Sequence, residues 1–82
     1  MTKAIAVLEM AGNTYDGEGE TIFDALKAIP LEYTQIKAKG TLKVSKDGKS
    51  FERLFTLLPL RRFFANKIYK EHWAHQVEQF LK

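Results

Sequence analysis

QIKAKGTLKVSKDGKSFERLFTL, residues 35–57, is the stretch whose reading decides the fold. In its first ten residues Ile36, Ala38, Gly40, Leu42 and Val44 alternate with Gln35, Lys37, Lys39, Thr41 and Lys43. A period of two belongs to a strand with one buried and one solvated face, so residues 35–44 are expected as a half-buried strand with a basic outer face. Ser45-Lys46-Asp47-Gly48-Lys49 follows. Asp-Gly at its centre suits a two-residue turn whose central residues need positive φ, and residues 51–57 then return as the partner strand. With that turn, Val44 faces Phe51, Lys43 faces Glu52 and Gly40 faces Phe55. An aromatic ring beside a strand glycine is a favourable cross-strand pairing, which supports this register.

Upstream, residues 4–10 are apolar on both alternating sets, Ile5 and Val7 on one and Ala6, Leu8 and Met10 on the other. A strand of that kind is expected in the middle of a sheet, covered on both faces. Gly12-Asn13 reads as its turn. Residues 14–18 return as a short, acidic, glycine-containing strand, the composition of an edge. Thr21-Ile22-Phe23-Asp24 opens a helix over residues 21–29, with Thr21 as N-cap and Asp24 reciprocating. Ile22, Ala25, Leu26 and Ile29 supply its buried stripe, and Pro30 ends it.

Downstream, Pro59 stops the last strand and fits the first turn of a helix, where its missing N–H is harmless. The tail from 60 to 82 is helical in composition but carries two apolar stripes. Leu60, Phe63, Phe64 and Ile68 form one; Tyr69, Trp73, Val77 and Phe80 fall roughly opposite. Either the helix breaks near residues 65–67, with Asn66 capping a second segment, or one straight helix lies between the core and a partner. The break is the favoured reading. Tyr69, Trp73 and Phe80 are the candidate aromatic partner contacts, since one thin core has difficulty covering both stripes. A kink that returns Trp73 to the core is the competing arrangement. The expected fold class is therefore α+β: one small domain over residues 1–82, in β-β-α-β-β-α order. Its sheet is mostly antiparallel, with the helices packed on one face and the C-terminal helix kinked or split.

Eighty-two residues suffice for one core, burying about 60–65% of the unfolded surface. Cysteine is absent, so packing rather than disulfides or thiolate metal sites must hold the fold. The apolar run that starts behind Lys3 stops at Glu9, short of a signal-peptide core, and no run approaches the length of a membrane span. These features fit a cytoplasmic setting with no membrane contact.

Charge is sorted along the chain. Residues 9–32 carry six carboxylates against Lys27 alone, whereas residues 33–70 carry ten bases against Asp47 and Glu52. Such a dipole steers either a polyanion or a complementary protein surface. The candidate basic contacts are Lys37, Lys39 and Lys43 on the hairpin with Arg61 and Arg62. The two arginines are expected at a helix start, against the dipole preference, which suggests that a phosphate or partner carboxylate uses them. Base-stacking aromatics are missing from the lysine face, because Phe51 and Phe55 fall on the core side.

No catalytic, cofactor or metal residue is assigned. The acids lie in loops and at an edge rather than paired in a cleft, and Ser45 and Ser50 merely flank a turn. Gly17-Glu18-Gly19-Glu20 is too acidic to cradle phosphate. Glu71, His75 and Glu78 share a helical side at metal-compatible spacing, but a solvated helix face accounts for them.

Asn13–Ile29, taken with Ile36–Leu57 and Leu60-Arg61-Arg62-Phe63-Phe64, resembles small proteins encoded in tailed-bacteriophage genomes. Those combine a turn, a strand and a capped helix with a lysine-rich hairpin and a Leu-Arg-Arg-Phe helix start. The likeness spans residues 4–68, leaves the Trp73 tail unmatched, and transfers no catalytic residue. It implies a viral or prophage setting, in a bacterial host cell or virion, and action through host or virion protein contacts. A non-enzymatic protein-interaction or assembly protein, self-association included, is the expectation. A non-specific nucleic-acid binder is the alternative.

Overall fold

The structure is a computed structural model describing residues 3–81. Strands β1 (Ala4–Met10), β2 (Asn13–Gly19), β3 (Gly40–Lys46) and β4 (Lys49–Phe55) form one antiparallel sheet in the order β2-β1-β3-β4. Helices α1 (Ile22–Lys27), α2 (Leu57–Ala65) and α3 (Lys67–Leu81) complete the β-β-α-β-β-α-α chain and cover one face of the sheet. Beneath them, Ala4, Ala6, Leu8, Leu42, Val44 and Phe55 meet Ile22, Leu26, Leu60, Phe63, Trp73 and Val77 in a single buried cluster.

The β3–β4 register is the expected one: Gly40 opposes Phe55, Lys43 opposes Glu52 and Val44 opposes Phe51. Asp47 and Gly48 make the turn with φ of 55° and 77°. The vacancy above Gly40 is filled by Leu8 and by Leu60 of α2, whose side chains would lie 3.1 Å from an added Cβ. Strand β3 nevertheless starts at Gly40, not at residue 35. Gly40 pairs with Met10 on one side and Phe55 on the other. Both neighbours end there, so the preceding five residues have no ladder to join. Tyr33–Gln35 forms instead a 3-10 turn, in which the Gln35 side chain accepts from Glu32 N–H at 2.8 Å. Ile36 is still fully buried and Lys37 and Lys39 exposed, so the alternation persists without hydrogen-bonded pairing.

The first turn falls one residue earlier than expected, on Ala11-Gly12 (φ 51° and 81°). This register brings Tyr15 beside Leu8 and Gly17 beside Ala6. It also sets Gly17 directly under α1, where a Cβ would stand 2.5 Å from the Ala25 carbonyl oxygen. The glycine is required by the close approach of the helix, not by the edge position of the strand.

Thr21 caps α1 as expected, its hydroxyl accepting from Asp24 N–H at 3.1 Å. The Asp24 carboxylate does not reciprocate; it lies 3.4 Å from Lys27 Nζ. The helix itself stops at Lys27, before residue 29.

Strand β4 ends at Phe55, and α2 begins at Leu57 with Pro59 in its first turn. Arg61 is therefore the middle residue of a nine-residue helix, and Arg62 lies in its last turn. The expected placement at a helix start is wrong. A cation near the C-terminus is favourable to the helix dipole, so no strain there points to a ligand.

The tail breaks at Asn66, whose backbone is extended (φ −118°, ψ 107°). Its side-chain carbonyl accepts from Ile68 N–H at 2.9 Å and Tyr69 N–H at 3.2 Å, capping α3. This kink turns α3 back across α1 and β4.

Candidate interaction surfaces

With every helix on one side, the other face of the sheet is uncovered, and the pairing fixes its layout. Glu18, Ile5, Ser45 and Ser50 form one row across the strands. Asp16, Val7, Lys43 and Glu52 form the next, and Thr14, Glu9, Thr41 and Leu54 the third. Ile5 is 41% exposed and Leu54 59%. A cleft of about 290 Å³ opens among Ile5, Val7, Lys43 and Glu52. Four carboxylates stand on this face: Glu9, Asp16, Glu18 and Glu52. Lys3 lies 3.7 Å from Glu18 and Lys43 3.6 Å from Glu52. Both pairs are solvent-exposed and contribute little stability, so their main effect is to cancel charge. Glu9 and Asp16 form no ion pair among the described residues. The face thus carries Ile5 and Val7 side by side on β1, with Leu54 apart at a corner, and is acidic overall.

That corrects the basic hairpin. Of the lysines expected to make one row, only Lys43 stands on the open face. Lys37 and Lys39 lie in the connector before β3. Strand β1 is central, as expected, but Ile5 and Val7 are not covered on their side.

The two candidate arginines lie elsewhere. Helix α2, which carries Arg61 and Arg62, packs against the 3-10 turn that precedes Lys37, whereas Lys39 lines a cleft with Glu9, Thr14, Thr41 and Leu54 at the rim of the open face. Leu58, Arg61 and Arg62, at i, i+3 and i+4, share an exposed side of α2. Leu58 is 73% exposed and, with Pro59, Arg62 and Tyr69, lines a cleft of about 220 Å³. Ile68, at the start of α3, is 79% exposed. Lys70 lies 4.9 Å above the Phe64 ring, and burial there pulls its pKa below the ordinary 10.5.

Trp73 is a core residue, not a partner contact. It is 5% exposed and packs edge-on against Phe63 at 5.3 Å and against Phe51 and Phe55 at 5.9 Å. The kink at Asn66 is the reason, because it turns the second stripe onto the core that the first already faces. Tyr69 is half-buried against Phe63. Phe80 alone keeps a large exposure, 71%, while its ring edge meets Phe51 at 5.5 Å.

The polar side of α3 is also reassigned. Glu78 points at the start of α1, where its Oε1 accepts from Ile22 N–H at 3.1 Å and lies 3.6 Å from Lys46 Nζ. That carboxylate supplies the helix N-terminus with an acceptor and a compensating charge. Among the described residues, no three His, Asp or Glu side chains are grouped closely enough to hold a metal ion. No helix among them is long and apolar enough to cross a membrane.

Sequence reasoning missed Ile5, Val7, Glu9, Leu54 and Leu58 as surface residues. One signal was present: residues 4–10 show two apolar sets, and the helical stripes needed for one sheet face leave no segment to cover the other. No protein-family model, curated protein or solved structure matches the chain.

Proposed function

We propose that this chain is a protein-interaction module that docks its partner on the uncovered face of its sheet. The observation that carries the reading is that Ile5 and Leu54 are exposed and Val7 only half-buried on that face, among Glu9, Asp16, Glu18 and Glu52. Apolar side chains left open among charged ones mark a protein-binding surface. The excess of carboxylates calls for a partner with a basic border, and opposite charge there raises the association rate and selects the orientation. The resemblance to phage-encoded proteins supports a search among host and virion proteins. The test places a photo-crosslinking side chain at Ile5 and, for comparison, at Leu58, in cells that contain the native partners. The adduct trapped from Ile5 is then purified and its binding measured directly. Val7→Asp should weaken that binding at least tenfold while the variant stays folded. Adducts from Leu58 with none from Ile5 would overturn the reading.

A second reading, non-specific nucleic-acid binding, has its own support. Lys37, Lys39, Arg61 and Arg62 are exposed, and none makes an ion pair among the described residues. Four phosphate contacts would give a salt slope of about −3.6 on duplex DNA, and replacing both arginines with alanine would flatten it by about two units. An unchanged slope in that variant rules this reading out.

A further inference from the structure

We propose that the open sheet face docks onto the α2–α3 corner of a second copy of this chain, in a head-to-tail contact that can repeat. The inference rests on the sheet-face reading above and names its occupant. The required partner surface carries exposed apolar side chains beside bases, and the chain has one. Leu58, Pro59 and Tyr69 line one cleft with Arg62 and supply the apolar part, and the exposed Ile68 precedes Tyr69 at the start of α3. Arg61 and Arg62 on α2 and Lys67 at the start of α3 are exposed and without an ion pair among the described residues.

Like-with-like contacts are disfavoured by the same layout. A two-fold axis along the strands lays β2 over β4 of the other copy, so Asp16 meets Glu52. An axis across the strands lays β2 over β2 and β4 over β4 with the rows reversed, so Asp16 meets Asp16 and Glu52 meets Glu52. Two corners would bring arginines against arginines. The unlike pairing is the one that joins opposite charges, and a contact between two different patches is heterologous, growing open chains unless the geometry closes them. Four strands about 4.8 Å apart and seven residues long present about 450 Å². A contact burying about 900 Å² from both partners falls below the stable range of about 1,200–2,000 Å², so the association is weak and depends on concentration.

Sedimentation velocity from low to high micromolar protein tests this. The wild-type sedimentation coefficient should rise with concentration at low salt. The rise should be lost near 1 M salt, where the Debye length is about 3 Å. Val7→Asp breaks the face and Leu58→Asp breaks the corner; Ile5→Asp and Ile68→Asp replace them if either variant loses its circular dichroism. Each variant alone should stay monomeric. Their equimolar mixture should stop at a 1:1 dimer, because one intact face and one intact corner remain and the two broken surfaces both carry an added acid. A wild type that is monomeric throughout, a variant that still grows, or a mixture that stays monomeric overturns the proposal. A foreign protein bound through Ile5 by a monomeric chain overturns it too, while leaving the sheet-face reading intact.

Discussion

Replacing Trp73 with alanine tests the whole C-terminal half of the fold. The indole is 5% exposed and meets three rings edge-on, at 5.3, 5.9 and 5.9 Å. Truncating a buried Trp to Ala costs about 3–5 kcal/mol. Each aromatic edge contributes about 0.5–1.5 kcal/mol beyond area, so the three pairs place this site in the upper part of that range. At about 0.05–0.15 kcal/mol per residue, the native state of a chain this size is worth about 4–12 kcal/mol. The variant is therefore unfolded at the low end of that range and marginal in the middle. If it folds, a loss of 3 kcal/mol lowers the melting temperature by about 12–24 °C. Far-UV circular dichroism is the appropriate signal, because Trp73 is the sole tryptophan and its fluorescence disappears with it. In the wild type, that fluorescence should be shielded from a soluble quencher until the chain unfolds. A variant melting within about 4 °C of wild type would mean a loss of no more than about 1 kcal/mol. The indole would then not be in the core, and α3 would not fold back at Asn66.

Two further substitutions test the N-terminal half by the same thermal and urea measurements. Gly17→Ala puts a methyl group 2.5 Å from the Ala25 carbonyl oxygen and 2.6 Å from the Ile29 nitrogen. Both are backbone atoms that cannot swing away, so a loss of about 1–3 kcal/mol is expected; an unchanged midpoint would mean that α1 does not lie against β2. Ala11→Asn should act in the opposite direction. Ala11 holds φ of 51°, a left-handed conformation costing a residue with a Cβ about 1–2 kcal/mol. Asn-Gly is preferred at such a turn, so a gain of about 0.5–1 kcal/mol is expected, and a loss would place the turn elsewhere.

What the sequence made legible follows from how local each cause is. The β3–β4 register rests on a two-residue turn and a period of two, both short-range, and it is correct to the residue. The cap at Asn66 is local as well. The first turn differs from the local reading because Gly12-Asn13 is the better turn sequence, and the packing of α1 on Gly17 overrides it at the expense of a left-handed Ala11. Residues 35–39 keep strand-like alternation yet make no ladder, because their would-be partners end at Met10 and Phe55. Ladder membership belongs to three strands at once, which a single segment does not reveal.

The candidate surfaces were less legible for a related reason. A docking face is whatever the fold leaves uncovered, and that depends on where every helix goes. The kink at Asn66 moves Trp73 into the core and brings both apolar stripes to one side of the sheet, so no segment covers Ile5 and Val7 on the other. Charge behaves differently, since its sorting along the chain survives folding. The acidic segment becomes the β2 side of the open face, and the basic segment contributes the α2–α3 corner. What changes is Lys43, which the ladder places beside Glu52 on the acidic face, and Lys46, which turns under the sheet to Glu78. Lys49 and Arg53 stay on the hairpin, while Arg61, Arg62, Lys67 and Lys70 lie on α2 and α3 with Leu58 and Tyr69, and salt dependence measured on Arg61 and Arg62 reports on that corner alone.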